Sequence, residues 1–378
     1  MALTNRRLNR ATLARQLLLR RERVAAADAI GRVVALQSQE PVSPYLALWN
    51  RVDGFDSDEL TRAYATGRVV KATLMRITLH TVRDDDYPRF RHAMAESLRA
   101  SRVYDRRFKG LGLPVSAADG LVPGLLAFTE EPRSNADLDE WVRDRIGDLP
   151  APGAWWALRT YGPFVHAPTG GPWAFGPRPS YLAAPFSDLD GDTGPSIRYL
   201  IRRYLEGFGP ASVADIAQFT LLRRPVVREA LTAMAGTVRE LSGPDGGELL
   251  DLPYAVLPDP DIPAPPRLLG MWDSVLLAHA DRSRILPPAY RPHVIRQNGD
   301  VLPTLLVDGE VAGVWRTVEG GIEAGAFHPL PKKVWRELAA EAAALAAFLA
   351  DREPAVYRRY GHWWAKGLPI DERRVLGP

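Results

Sequence analysis

The clearest alternation of apolar and polar positions in this chain lies between Ile197 and Pro253. Apolar residues recur at helical spacing from Ile197 to Leu205, and Gly207-Phe208-Gly209-Pro210 ends that run. Ser212 stands where it can cap a short helix Val213–Phe219. Leu221 to Arg224 predict a turn, and Arg224–Met234 a further helix with Val227, Leu231 and Met234 on one face. Two strand-like segments come next, Val238–Leu241 and Glu248–Leu252, joined by the turn-rich Ser242-Gly243-Pro244-Asp245-Gly246-Gly247. Helices closed by a two-stranded wing describe a winged helix.

The pattern repeats. In the first block, helices are expected at Asn9–Leu19, Ala25–Gln37 and Ser57–Ala65, followed by paired strands Val69–Met75 and Ile77–Val82. A middle copy is read from Leu121–Phe128, Asp137–Ile146 with Asn135 as its N-cap, and a hairpin within Tyr161–Phe175. After the stiff proline run from Pro258 to Pro266, strands are expected at Val275–Ala278, Leu302–Val307 and Val311–Arg316, the last two joined by a tight turn at Asp308-Gly309. Lys332–Ala350 reads as a helix, packed through Trp335, Leu338, Leu345, Phe348 and Leu349. The tail carries Tyr360, His362, Trp363 and Trp364, too aromatic for disorder. The expected fold is α+β: three tandem winged-helix domains at 1–115, 116–192 and 193–257, then a C-terminal β-rich domain with a terminal helix at 258–378.

One position breaks the hydrophobic rule. Ile30, Val33 and Val34 recur on one helical face, and the next residue on that face is Gln37. Pro41 and Pro44 then read as the stop. Two amides, Gln37 and Gln39, are thereby left at a helix end around Ser38. A buried amide without a partner costs about 1–3 kcal/mol. The plain reading is a polar, solvated helix terminus, and only the rest of the chain shifts it.

Composition narrows the chemistry. At 378 residues with 46% hydrophobic and 25% charged residues, the chain is long enough for several folded domains. It has no cysteine, which removes thiolate chemistry and disulfides. The histidines at 80, 92, 166, 279, 293, 328 and 362 show no metal-ligand spacing, so neither a metal nor a cofactor is expected. There is no signal-peptide core and no apolar run of membrane length, so a cytoplasmic, soluble protein is expected. The net charge of +3 conceals a division: residues 1–110 carry 21 Lys+Arg against 12 Asp+Glu, whereas residues 111–196 carry 5 against 11. A basic block beside an acidic one suits a polyanion held on one side. Arginine supplies 43 of the 48 basic residues. That bias suits forked phosphate contacts, and GC-rich coding also produces it.

Four segments carry a family resemblance: Leu8 to Gln16 with the following helix, Leu36-Gln37-Ser38-Gln39, Leu74 to His80, and Trp272 to Leu286 with Pro303 to Arg316. In order and content they resemble the winged-helix DNA glycosylases of the AlkZ type, a group that includes enzymes protecting antibiotic producers from their own DNA-alkylating products. The resemblance implies winged helices bent into a C around duplex DNA, and a Gln-aliphatic-Gln motif whose catalytic amides are here Gln37 and Gln39. Ser38 departs from the usual aliphatic residue, but its side chain is expected to point elsewhere. A related branch has Asp at the second polar position; Gln39 places this chain nearer the self-resistance branch.

The resemblance thus implies a monofunctional glycosylase acting on bulky cationic N7-alkylguanine adducts or crosslinks, a nucleoid-associated monomer whose partner is double-stranded DNA. Such a base leaves neutral, so two amides that position water suffice where other glycosylases need a carboxylate or lysine. Glu40 is the competing base, expected instead to face solvent or a basic partner. Other candidates each have two readings. Arg76 reaches phosphate or is paired, and His80 lines the lesion pocket or sits in the core. Arg282 and Arg284 beside Asp281 form a phosphate clamp or a salt-bridge network. Arg223, Arg224 and Arg228 read DNA from a recognition helix or pack against a neighbour. Asp273 and Asp281 read as structural carboxylates, and the Asp308-Gly309 hairpin as a DNA probe or an ordinary turn. A non-catalytic winged-helix regulator or lesion-binding protein is the alternative; a small-molecule hydrolase lacks a Gly-x-Ser-x-Gly elbow.

Overall fold

The computed structural model describes residues 2–147, 154–185, 189 and 191–377. The first unit runs α1 (Asn5–Arg15), α2 (Ala26–Val33), β1 (Leu36–Gln37), α3 (Ser43–Trp49), α4 (Ser57–Ala65), β2 (Val69–Thr73) and β3 (Leu79–Arg83). Then come α5 (Tyr87–Val103), α6 (Arg106–Gly110), α7 (Val115–Phe128), β4 (Arg133–Ser134), α8 (Asn135–Ile146), α9 (Ala154–Leu158), β5 (Phe164–Ala167) and β6 (Ser180–Ala183). The helices and the paired strands expected between Ile197 and Pro253 form as α10 (Gly194–Phe208), α11 (Val213–Thr220), α12 (Arg224–Ala233), β7 (Arg239–Ser242) and β8 (Glu248–Asp251). The C-terminal part holds β9 (Arg267–Leu269), α13 (Arg291–Val294), β10 (Thr304–Val307), β11 (Glu310–Val318), β12 (Gly321–Ala326), α14 (Lys332–Ala350) and β13 (Glu372–Leu376).

Several boundaries move for local reasons. Thr4 caps α1, its hydroxyl accepting from Arg7 N at 3.2 Å, so the helix starts four residues earlier than expected. Ser134, not Asn135, caps α8, in a reciprocal capping box with Asp137. Pro44 does not end a helix but opens α3, where its fixed φ and missing N–H are tolerated. The 17-residue α5 has no counterpart among the expected helices; its face of Tyr87, Phe90, Met94 and Leu98 is interrupted by a buried Arg91. Val275–Ala278 is not a strand, because Asp273 accepts from Val275 N at 3.2 Å and caps a single 3-10 turn, Ser274–Leu276.

The strands of the first two units form one antiparallel sheet in the order β1-β3-β2-β5-β6-β4, and the C-terminal strands form another, β13-β12-β11-β10-β9. Two large cores flank the chain at residues 33–36. Val33 and Leu36 pack with α3, α4, the C-terminal sheet and α14. Val34 and Ala35 pack with α5, α10, α11 and α12. The stretch that leads to Gln37 is thus the seam between them.

Buried arginines tie the units together. Arg15 on α1 holds Asp251 of β8 through paired bonds of 2.8 and 2.9 Å. Arg51, just past α3, holds Asp273 through two bonds of 2.8 Å, and both side chains are sealed from solvent. Removing one partner of such a pair leaves the other charge buried and alone. Asp273→Ala is expected to cost about 3–5 kcal/mol in urea denaturation. The exposed Arg23–Asp53 pair provides the contrast, and Asp53→Ala is expected to cost no more than about 1 kcal/mol.

Candidate active site

The helix expected to run through Gln37 ends at Val33. Val34 takes a φ of 75°, and the two consecutive β-branched residues give way to extended chain. Leu36 and Gln37 then pair with Thr81 and His80 on β3. Side chains alternate along a strand, so Leu36, Thr81 and Lys71 share one face, and Gln37, His80 and Ala72 the other. The amides therefore owe their placement to a strand rather than to a helix end.

Ser38 turns into the protein. Its hydroxyl donates to Leu36 O at 3.0 Å and shares a 2.7 Å bond with the Thr81 hydroxyl, which also meets the Tyr64 hydroxyl. This polar chain replaces the packing an aliphatic residue would supply, and it leaves the flanking amides where they are. Gln37 is almost fully buried, and its Oε1 accepts from Arg76 Nη2 at 2.5 Å. Gln39 is exposed, and its Oε1 accepts from Leu79 N at 2.9 Å. Each carbonyl oxygen keeps a second lone pair, and each NH2 two donors.

Arg76 is brought directly to the motif. It sits in the turn between β2 and β3 with φ 53°, and its guanidinium lies 5.1 Å from the centre of the Phe219 ring on α11. Burial, and then the nearby charge of Arg282, push its pKa down to about 9. His80 is fully buried. Its Nδ1 donates to Thr78 O at 3.0 Å, which leaves Nε2, 3.5 Å from Arg76 Nη2, as an acceptor. Burial and the Arg76 charge push its pKa down to about 3, so the ring is neutral at physiological pH.

Glu40 is engaged elsewhere. Tyr360 donates to its Oε1 at 2.9 Å, and Arg359 closes on the same oxygen. The basic partner expected for Glu40 therefore comes from the tail. Arg282 is half-buried and donates to Leu276 O at 3.1 Å. Arg284 is not a surface contact for DNA: it is 6% exposed, donates to Pro210 O at 2.9 Å, and lies in the field of Asp215. Arg223, Arg224 and Arg228 stand at the start of α12, all three exposed, and Arg223 lies 3.8 Å from Glu96. Asp273 is the structural carboxylate expected, as is Asp281, whose oxygens accept from Ser283 N and Oγ. The Asp308-Gly309 turn is held down by α1: Arg6 reaches Asp308 at 2.7 Å, Arg10 also closes on it, and Asn9 donates to Gly309 O at 2.7 Å. It is an ordinary docked hairpin. Phe219, Tyr64 and the Arg359–Tyr360 pair escape sequence reasoning, since no spacing links them to residues 37–40.

Among the described residues no group of three or more His, Cys, Asp or Glu side chains could hold a metal. Among those same residues, no helix is long and apolar enough to cross a membrane. The chain matches the family described as "DNA glycosylase AlkZ-like" over residues 30–348. It is 26% identical over 339 residues to an interstrand DNA cross-link repair glycosylase of Streptomyces sahachiroi, covering 81% of this chain and 85% of that protein. The solved structure of Streptomyces sahachiroi DNA glycosylase AlkZ superimposes with a TM-score of 0.78 at 21% identity, covering 92% of this chain and 96% of that one. With the family matched over most of its length, and with that fold, the chain belongs to the AlkZ-like DNA glycosylases.

Proposed function

We propose that this DNA glycosylase hydrolyses the N-glycosidic bond of bulky, cationic N7-alkylguanine adducts in duplex DNA, crosslinks included, and leaves an abasic site. The division into three winged helices and a C-terminal domain, DNA in a concave face, and a role in self-resistance belong to the same proposal. Crosslink removal is supported by the cross-link repair function of the Streptomyces relative. Family membership leaves little room for the non-catalytic regulator.

The observation that carries the reading is the pair of amides, Gln37 and Gln39, beside a neutral His80, with the one adjacent carboxylate, Glu40, turned to Tyr360 and Arg359. An N7-alkylated guanine carries a full positive charge. As C1′–N9 breaks, its electron pair passes to the base, which departs neutral, and the sugar takes on oxocarbenium character. Water then adds its oxygen to C1′ and releases a proton to solvent. The amides need only hold that water, accepting through oxygen and donating through nitrogen. Monofunctional hydrolysis is further supported by Lys71. This buried lysine, pushed down to about 8 by burial, projects from the opposite face of the sheet and lies 4.4 Å from the centre of the Phe175 ring.

Gln37→Ala and Gln39→Ala are each expected to lower single-turnover excision by on the order of 100-fold, with DNA affinity nearly unchanged. The assay is alkaline cleavage of a duplex carrying one N7-alkylguanine. Glu40→Gln retains most activity. A dead Glu40→Gln enzyme alongside active glutamine variants would replace the amides with a carboxylate base.

Affinity for undamaged duplex is expected to fall steeply with salt, with a slope of about 0.9 per phosphate neutralised. Arg224→Ala with Arg228→Ala is expected to lower that slope by about one for each guanidinium that touches phosphate, with no change in sequence preference. A flat salt dependence would remove the DNA-groove reading.

A further inference from the structure

We propose that Arg76 forms the binding site for a backbone phosphate of the lesion strand, and that this phosphate draws Arg76 off the Gln37 carbonyl oxygen and frees that oxygen for the attacking water. The inference rests on the glycosylase reading above and adds a trigger to it.

Charge sets Arg76 apart. Other buried arginines find strong acceptors. Arg51 closes on Asp273, Arg15 on Asp251 and Arg203 on Asp86. Arg91 and Arg284 at least reach backbone carbonyls, Tyr161 O at 2.6 Å and Pro210 O at 2.9 Å. Among the described residues, Arg76 has neither a carboxylate nor a backbone carbonyl. Its acceptors there are the Gln37 amide oxygen and a histidine nitrogen, and its Nη1 is buried without a hydrogen-bond partner. A buried cation in that condition costs several kcal/mol unless a counter-ion arrives.

The neighbours sharpen the point. Arg282 is close enough to weaken Arg76's hold on its proton. Among the described residues no carboxylate bonds to Arg282 either, whose acceptors are Leu276 O at 3.1 Å and Ala280 O at 3.4 Å. The nearby acids are engaged. Asp215 accepts from Ala280 N at 2.7 Å and from Ser212 N and Oγ at 2.8 Å, and Asp281 from Ser283. A guanidinium bonded to no acid, set between the Gln37 oxygen, His80 and the Phe219 ring, makes a cradle suited to an anion.

The backbone holds that cradle in place. Arg76 and Ile77 both take left-handed φ values, 53° and 57°, and neither is glycine. Ile77 N to Leu74 O at 2.9 Å and Leu74 N to Thr78 O at 3.0 Å lock the turn. Non-glycine residues in this region cost about 1–3 kcal/mol each, and such strain gathers at functional sites.

The same facts select the ligand's chemistry. A cationic alkylguanine is repelled by this site, whereas a phosphodiester supplies a full negative charge and two oxygens matched to the guanidinium fork. Once it is bound, the neutral amide oxygen is the weaker acceptor and is released. The turn that carries the guanidinium is itself only half-buried, from Arg76 through Leu79, so it is this segment that a phosphate meets first.

The test places single neutral methylphosphonates at each phosphate flanking one N7-alkylguanine in a duplex, and measures single-turnover excision. With the wild-type protein, one position is expected to slow excision by at least about tenfold. Arg76→Gln is expected to be slowed by a similar factor on unmodified DNA and to lose no more at that position, since the two changes remove one interaction. Arg76→Lys, which keeps the charge without the fork, is expected to stay partly sensitive there and serves if the glutamine variant does not fold. Wild-type excision indifferent to every methylphosphonate, or equal sensitivity in wild type and Arg76 variants, overturns the site. Absence of excision by wild type on unmodified lesion DNA overturns the enzyme reading instead.

Discussion

Pairing of Leu36 and Gln37 with Thr81 and His80 is the contact on which the site depends. Two residues of ladder are a weak strand by themselves, and the pairing survives because the flanking residues are anchored in two different cores, Val33 and Leu36 in one and Val34 and Ala35 in the other. The strand's alternation then does the sorting. Leu36 and Ser38 are committed to the face of Thr81, so Gln37 and Gln39 are left to the opposite one, next to His80. A slip of one residue would turn the amides towards Lys71 and the serine towards Arg76. The register is accordingly secured by side-chain bonds: Ser38 to Thr81, and Gln39 to the Leu79 amide.

Much of this architecture is legible in the sequence wherever local signals and packing agree. Ser57–Ala65 and Lys332–Ala350 form at the expected residues, and Ser212 caps α11 as expected. The hairpin turn at Asp308-Gly309 and the β7–β8 pair also appear where turn chemistry places them. The failures have physical causes. Val33 and Val34 fit a helical period and a strand equally well, and only the two-core seam decides between them. Pro44 carries no mark that tells a helix start from a helix stop. Arg91 disguises α5, because its guanidinium is buried against carbonyls some 70 residues away in sequence.

The candidate residues are legible in the sequence; their arrangement is not. Gln37 and Gln39 stand out because an amide occupies a position that asks for a hydrophobe, and the family resemblance gives that oddity a meaning. Nothing in the sequence announces that Arg76 bonds Gln37, since that contact depends on a strained turn and on the Phe219 ring of a distant helix. Arg284 illustrates the reverse. An arginine beside Asp281 and Arg282 looks like a surface cation, yet the segment around it is core, and the guanidinium is consumed by a backbone carbonyl.

The grip of the tail on the motif carries a consequence for how the enzyme is made. Glu40 is held by Arg359 and Tyr360, some 320 residues further along, and Ser43 by the Tyr357 hydroxyl at 2.9 Å. These holding residues lie beyond residue 348, where the family match ends. A chain emerging from the ribosome N-terminus first presents the glutamine segment early and its clasp far later. Closing a loop of that length carries an entropic cost that only the finished C-terminal core can offset. Order around the motif therefore arrives late: a nascent chain that already carries the glutamines has no fixed Glu40 or Ser43 beside them until the tail has been made.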